Sequence, residues 1–305
     1  MPPEPPGSSA RMLGPSVPLA RRRVALETTL LVHGVPQGQG ATLAGRLGEI
    51  CRAHGAEPAV VGVVGGRAIV GMNDADLGLL LTAPPSSIPK LNCGNLGTAL
   101  FRGGHGATTV SATMELAARA GVCVFATGGL GGVHRGYADR LDISADLGAF
   151  TRHPLAVVTS GAKSILDIAA TRELLETLGV CVIGFGTDDF PAFYLRSLEG
   201  VGKVDARFDD VEALAKFIRF ELARANRGIV VCNPIPAEHE LPRADWERWL
   251  AEAESKARAA GASGRGVTPA ALAALHEVSN GATLRANIAL VESNTRLAAQ
   301  IAARM

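Results

Sequence analysis

The sequence predicts an α/β fold: one compact domain on a largely parallel sheet with an antiparallel portion. Three observations predict it. Aliphatic runs such as VCVFA, LAVVT, VCVIGF and IVVC alternate with longer segments of helical period. These runs are apolar without a break, as strands are when helices cover both faces of a parallel sheet. The apolar mass is also aliphatic, with 47% hydrophobic but only 4% aromatic residues, which suits Val/Ile/Leu strands and Ala-rich helices.

The elements follow in order. Residues 1–23 are rich in Pro, Gly and Ser and read as a disordered arm, which leaves 24–305 as a single folded domain. VALETTLLVHG reads as a short buried strand running into a loop, and residues 41–54 as a helix. PAVVGVVGGRAIVGM is two β-branched runs joined at Gly65-Gly66, where glycine supplies the positive φ of a tight hairpin. A helix is expected over 74–82. Pro84, Pro85 and Pro89 then mark an irregular stretch. ATTVSATMELAARAG reads as a helix, GVCVFATGG as a buried strand, DISADLGAF as a helix start and LAVVTSG as a strand. SILDIAATRELLETLG has the spacing of an amphipathic helix, and GVCVIGFGT is another strand. A helix over 209–226, the strand GIVVCNP and helices over about 243–260, 269–278 and 283–303 complete the chain.

Charge and composition narrow the partners. Formal net charge is +1 and the basic residues are dispersed, so no basic stripe points to nucleic acid. No stretch approaches the roughly 18 apolar residues of a membrane helix. Arg21 to Arg23 precede an apolar segment, but Glu27 and His33 interrupt it and no small-residue cleavage site follows, which argues against export. The five cysteines are scattered without a CxxC pair, as in reduced proteins of the cytosol. A cytoplasmic protein with a small-molecule substrate is the expectation.

Four polar or Gly-rich stretches follow apolar runs: HGATTVSATM, ATGGLGGVHRG, DISADL and SGAKS. Ligands of open α/β sheets bind beyond strand carboxyl ends, where glycine permits close approach and helix N-termini offer N–H groups to phosphate. Thr108, Thr109 and Ser144 lie near helix starts and suit either phosphate binding or capping. Lys163 follows a strand and precedes a helix, where it can act as a Schiff-base nucleophile or as a phosphate-binding cation. Asp142 and Asp146 are one helical turn apart and suit either a hard cation or an N-cap with a surface acid. Glu27 sits inside an apolar strand, and burial raises a carboxyl pKa toward values useful in proton transfer; a structural ion pair is the alternative. His134-Arg135 can position an anion.

Read together and in this order, VALETTLLVHGVP, HGATTVSATM, VFATGGLGGVHRG, DISADL, SGAKSILDI, GFGTDDFPAFY, NPIPAEH, TPAAL and ANIALV resemble the pseudouridine-5′-phosphate glycosidase family, also called the indigoidine synthase A family. The resemblance runs from about residue 24 to 303. It implies a single α/β/α catalytic domain with a central mixed, largely parallel sheet, a homotrimer, and a divalent ion, Mn²⁺ with Mg²⁺ as the alternative. It implies cleavage or formation of the C-glycosidic bond between ribose 5-phosphate and uracil. On this chain it places the covalent lysine at Lys163, the acid/base at Glu27 and the metal ligand at Asp142. Ser144, Ala145, Asp146, Val110, Lys90 and Asn287 become substrate contacts, and Thr108, Thr109, Thr127 and His134 join them from the surrounding motifs.

The chain departs from the family on the nucleobase side. KVSRRDL is common in the family, whereas this chain reads Lys90-Leu91-Asn92-Cys93-Gly94-Asn95-Leu96. Gln37-Gly38-Gln39-Gly40 replaces a Pro-x-Asn segment, Tyr137 replaces a small residue and His105 an asparagine. These changes leave the sugar-phosphate machinery intact and make the acceptor side less cationic and more aromatic. These departures resemble those of a C-ribosylating member of the family, and that resemblance implies C-glycosynthase chemistry, joining C1 of ribose 5-phosphate to a planar aromatic acceptor, a polyketide of antibiotic biosynthesis, through a lysine Schiff base. Cleavage of pseudouridine 5′-phosphate is the alternative, and a non-catalytic sugar-phosphate-binding protein is a third reading.

Overall fold

In the computed structural model, residues 22–259 and 274–305 are described. The strands, in chain order, are β1 (Arg23–Glu27), β2 (Glu57–Val64), β3 (Arg67–Val70), β4 (Lys90–Leu91), β5 (Gly106–Thr108) and β6 (Val124–Ala126), then β7 (Val133–His134), β8 (Ala156–Thr159), β9 (Leu166–Asp167), β10 (Cys181–Phe185), β11 (Ala206–Phe208) and β12 (Ile229–Cys232). A ten-stranded sheet has the order β11-β10-β12-β8-β6-β1-β2-β5-β4, with β3 pairing to β2 outside this path. Every pair from β11 to β2 is parallel; β2 pairs antiparallel with β3 and β5. The expected mixed, largely parallel sheet is present.

The central strands are buried along their length. Val124, Phe125 and Ala126 of β6, and all four residues of β8 and β12, lie in the core, as the unbroken apolar runs require. Helices Gly40–Ala53 and Val211–Ala225 both pack on helix Ala282–Ala302, which lies against β1, β6 and β8. Helices Val110–Arg119 and Ala145–Phe150 form a second group, and the first of these packs on β1 and β2. The hairpin turns at Gly65 and Gly66 with φ of 57° and 73°, as its glycines predict.

The structure differs from the sequence reading at element edges. VALETTLLVHG is a strand followed by a helix, Thr28–His33, rather than a loop. Six residues are too few to show a helical period. Tertiary bonds hold the turn: Thr28 Oγ1 donates to Val61 O at 2.8 Å and Thr29 Oγ1 to Ala107 O at 3.2 Å. ATTVSATMELAARAG opens as β5, so its helix begins only at Val110. In SILDIAATRELLETLG, Leu166 and Asp167 pair with β7, and the helix starts at Ile168, where Asp167 accepts from Ala170 N at 3.0 Å. Helix Leu96–Phe101 and β11 had no signal in the period. The expected arm lies outside the described residues apart from Arg22 and Arg23, and Arg23 belongs to β1. The helix expected over 269–278 is described only from 274 to 278, where it is helical. No helix among the described residues is long and apolar enough to cross a membrane.

Candidate active site

Three neighbouring parallel strands bring the main candidates together. Leu26, Ala126 and Val158 are in register across β1, β6 and β8. The next residues, Glu27, Thr127 and Thr159, therefore end their strands side by side at the carboxyl edge, where open α/β sheets bind ligands. The loops beyond β6 and β8 are laced to each other. Leu130 N donates to Gly161 O at 2.9 Å, and Lys163 N donates to Leu130 O at 3.0 Å. Gly161 has φ +82°, and a Cβ there would stand 1.8 Å from Pro191 O, so only glycine carries the chain around to Lys163.

Glu27 is 5% exposed and accepts from Thr127 Oγ1 at 2.5 Å. Burial pushes its carboxyl above the ordinary carboxylate range; Lys163, the Thr127 bond and Lys90 oppose this rise, while Asp146 adds to it. Lys90, on β4, is brought to the same place by the pairing of β4 with β5. Burial and the charge of Lys163 lower the Lys90 ammonium to about 8, against the pull of Glu27. Glu27 thus feels the charges of Lys90, Lys163 and Asp146, although the four lie in separate sequence motifs.

Asp146 is 4% exposed, and both its oxygens are occupied by backbone. Oδ1 accepts from Ser111 N at 3.0 Å and Oδ2 from Gly131 N at 2.9 Å. This carboxylate ties the Gly-rich loop to the N-terminus of helix Val110–Arg119, a favourable place for negative charge. Ser144 caps its own helix, accepting from Asp146 N at 3.2 Å, and Ala145 is the first helical residue. A Cβ on Gly131 would lie 2.3 Å from Ser144 Oγ and 2.7 Å from Asp146 Oδ2, so this glycine is needed for the close approach. Thr109 and Val110 stand at the start of helix Val110–Arg119. Thr108 is turned into the core instead: its hydroxyl donates to Val61 O at 2.7 Å and accepts from Thr113 Oγ1 at 2.9 Å. That places it beneath the site as a support.

Asp142 lies nearby with a half-exposed side chain, and Oδ2 is 4.0 Å from His134 Nδ1. His134 N also donates to Asp142 O at 3.0 Å. Among the described residues no third ligating side chain completes a cluster around this pair. A single exposed carboxylate suits a hard cation that keeps most of its waters, and suits poorly a cation that demands several protein ligands. Asn287, 8% exposed, has a buried Oδ1 with no hydrogen-bond partner among the described residues, an acceptor that a ligand's donor could meet.

Two supports were missed in the sequence. Asn294 is completely buried in the C-terminal helix; its Nδ2 donates to Thr127 O at 2.8 Å and Ser160 Oγ at 3.1 Å. It pins the two loops that carry Thr127 and Lys163. An asparagine among the Ala, Leu and Val positions of the buried face, one helical repeat after Asn287, was the available signal. His33 contacts Ile88 O through Nε2 at 3.0 Å, two residues before Lys90; its interruption of an apolar segment was the signal.

Comparison with known proteins identifies the family. Residues 19–304 match the model of the family described as indigoidine synthase A like protein. A pseudouridine-5′-phosphate glycosidase from Methylobacterium nodulans is 47% identical over 92% of this chain and 82% of its own length. Another from Symbiobacterium thermophilum is 46% identical over 92% and 91%. Among solved structures, an indigoidine synthase A-like protein from Thermotoga maritima superposes with a TM-score of 0.84, at 37% identity and covering 93% of this chain and 92% of that one. Prealnumycin C-glycosynthase AlnA, solved in complex with ribulose 5-phosphate, gives 0.83 at the same identity and coverage. The relatives named glycosidase favour the cleavage reading over the C-glycosynthase reading that the nucleobase-side departures suggested. The chain therefore belongs to the indigoidine synthase A like family and is an enzyme that forms or cleaves a glycosidic bond.

Proposed function

We propose that this enzyme is a pseudouridine-5′-phosphate glycosidase, cleaving the C–C bond between C1 of the sugar and the base to give uracil and ribose 5-phosphate. The observation that carries the reading is the buried Glu27 at the carboxyl end of β1, its carboxyl raised by burial and coupled to Lys163 in the loop beyond β8 and to Lys90 on β4. A C–C bond has no good leaving group, so covalent catalysis by an amine supplies the route. In the proposed sequence the ribose ring opens, leaving a conjugated acceptor at C1. The Lys163 amine adds to C1. Glu27, protonated at the start, gives its proton to the ring carbon of the base. The C–C bond then breaks, the nitrogen lone pair forms an iminium with C1, and water releases ribose 5-phosphate and Lys163. Run in reverse, the same steps join ribose 5-phosphate to a base carbon.

Asp142 would hold a divalent ion, Mn²⁺ or Mg²⁺, which supplies positive charge to the substrate's oxygens when bound. Ser144, Ala145, Thr109, Val110 and His134 line the sugar-phosphate side, and Lys90 and Asn287 the base side. A homotrimer is part of the proposal, carried by family resemblance alone.

The test is incubation with ribose 5-phosphate, borohydride reduction and peptide mass measurement, beside an assay of uracil release. A sugar-phosphate adduct on Lys163 with rapid uracil release supports the reading. An adduct without uracil release sinks the glycosidase and favours synthesis on an aromatic acceptor, to which the exposed Tyr137, Leu141 and Ile143, near Asp142 in the sequence, would offer apolar contacts. No adduct and no turnover, with ribose 5-phosphate bound equally by Lys163→Ala, leaves a binding protein.

A further inference from the structure

Away from the catalytic carboxylate and lysines, three side chains from separate segments converge. Cys93 lies between β4 and helix Leu96–Phe101, Glu115 on helix Val110–Arg119, and His153 just beyond helix Ala145–Phe150. One ligating atom from each lies within 4.8 Å of the other two, and this is the one such cluster among the described residues. Cys93 Sγ is 3.9 Å from His153 Nε2 and 3.1 Å from Ser111 O. We propose that Cys93, Glu115 and His153 form a zinc site.

Ligand type and spacing both support this assignment. Thiolate, imidazole and carboxylate together suit Zn²⁺, and exclude Mg²⁺ or Ca²⁺, which take oxygen ligands. Tetrahedral zinc with bonds of 2.0–2.3 Å holds its ligand atoms roughly 3.5 Å apart, so the observed separation closes with small side-chain movement. Three protein ligands leave one position for water. Glu115 has a 15% exposed side chain and is aligned by an ion pair to Arg119 at 2.8 Å. Arg119 and Arg152 both act on His153 and oppose a cation, which weakens the site without removing it. Binding converts the Cys93 thiol to thiolate and releases its proton to solvent.

The consequence is mechanical. Ser111, one turn before Glu115, donates its N–H to Asp146, and Cys93 follows Lys90 by three residues. Zinc would clamp the Lys90 segment to the helix whose N-terminus Asp146 caps. The site is independent of the proposed reaction, and its test needs no turnover.

The full chain, stripped with EDTA and dialysed, is titrated with Co²⁺. One equivalent should produce a thiolate-to-cobalt charge-transfer band in the near ultraviolet, bleached by one equivalent of Zn²⁺. Cys93→Ser should abolish the band. His153→Ala should weaken binding by more than the roughly 10–100-fold that an outer-shell change costs. Asp142→Asn should leave the band in place. Zinc-edge X-ray absorption of the unmutated protein, which does not depend on any variant folding, should show one sulfur among the ligands. Absence of the band, its survival in Cys93→Ser, or a zinc environment without sulfur would each overturn the site.

Discussion

Thr127→Val tests the acid/base assignment most directly. The substitution keeps the shape of a residue that is 1% exposed and removes only the hydroxyl that donates to Glu27 at 2.5 Å. A hydrogen bond to a charged group contributes about 1.5–3 kcal/mol, and 1.36 kcal/mol corresponds to one pKa unit. The bond favours the ionised carboxylate, so its loss raises a carboxyl that burial already holds high. If loss of the Glu27 proton gates turnover, the basic limb of the kcat/KM profile should move up by about 1–2 pH units. Below that limb the variant should run near the parent rate, and above it should be about 10–100-fold faster than the parent. The stability consequence has the same sign. The folded state holds the Glu27 proton more tightly than the unfolded chain, so stability falls as pH rises from the ordinary carboxyl range through the folded value. Thr127→Val should extend that fall to higher pH in urea denaturation. A limb that stays put in a folded variant, or a rate loss equal at every pH, would refute Glu27 as the titrating group.

Lys90 and Gly161 give two more expectations. Lys90 is lowered from 10.5 to about 8, a cost to the folded state of about 3 kcal/mol at pH 7. That cost is present in full below about 8 and disappears as pH rises to about 10.5, where the unfolded chain also loses the proton. Lys90→Met should therefore stabilise by up to about 3 kcal/mol at pH 7 and by little at pH 10.5, while impairing turnover; an equal gain at both pH values in urea titrations would disprove the charge argument. Gly161→Ala places a methyl group 1.8 Å from Pro191 O at φ +82°. It should destabilise by about 3 kcal/mol or more and displace Lys163, lowering kcat and adduct formation together. Parent-like unfolding and adduct yield would show that the loop relaxes without strain.

The sequence by itself determined the layered architecture. Unbroken aliphatic runs separated by helical periods admit few arrangements other than a parallel sheet covered on both faces. It also made Glu27 and Lys163 visible as candidates, because a carboxylate in an apolar run or a lysine after Gly-Ala at a strand end is locally out of place; Asp142 stood out only by its spacing to Asp146 and by family resemblance. Strand and helix edges were less legible. The helix after Glu27 depends on hydroxyl bonds to Val61 and Ala107, which are remote in the chain.

Tertiary structure alone decided which residues share a site and what each polar group faces. Asp146 had the spacing of a metal ligand, yet its oxygens are taken by Ser111 and Gly131 amides from two other segments. Thr108 had the position of a phosphate contact, yet its hydroxyl is spent on Val61 and Thr113 inside the core. Asn294 and the grouping of Cys93 with Glu115 and His153 were equally hidden. The physical reason is common to all four: a period in the sequence reports which face of an element is buried, whereas a hydrogen bond, a charge coupling or a ligand set depends on distances between elements far apart in the chain.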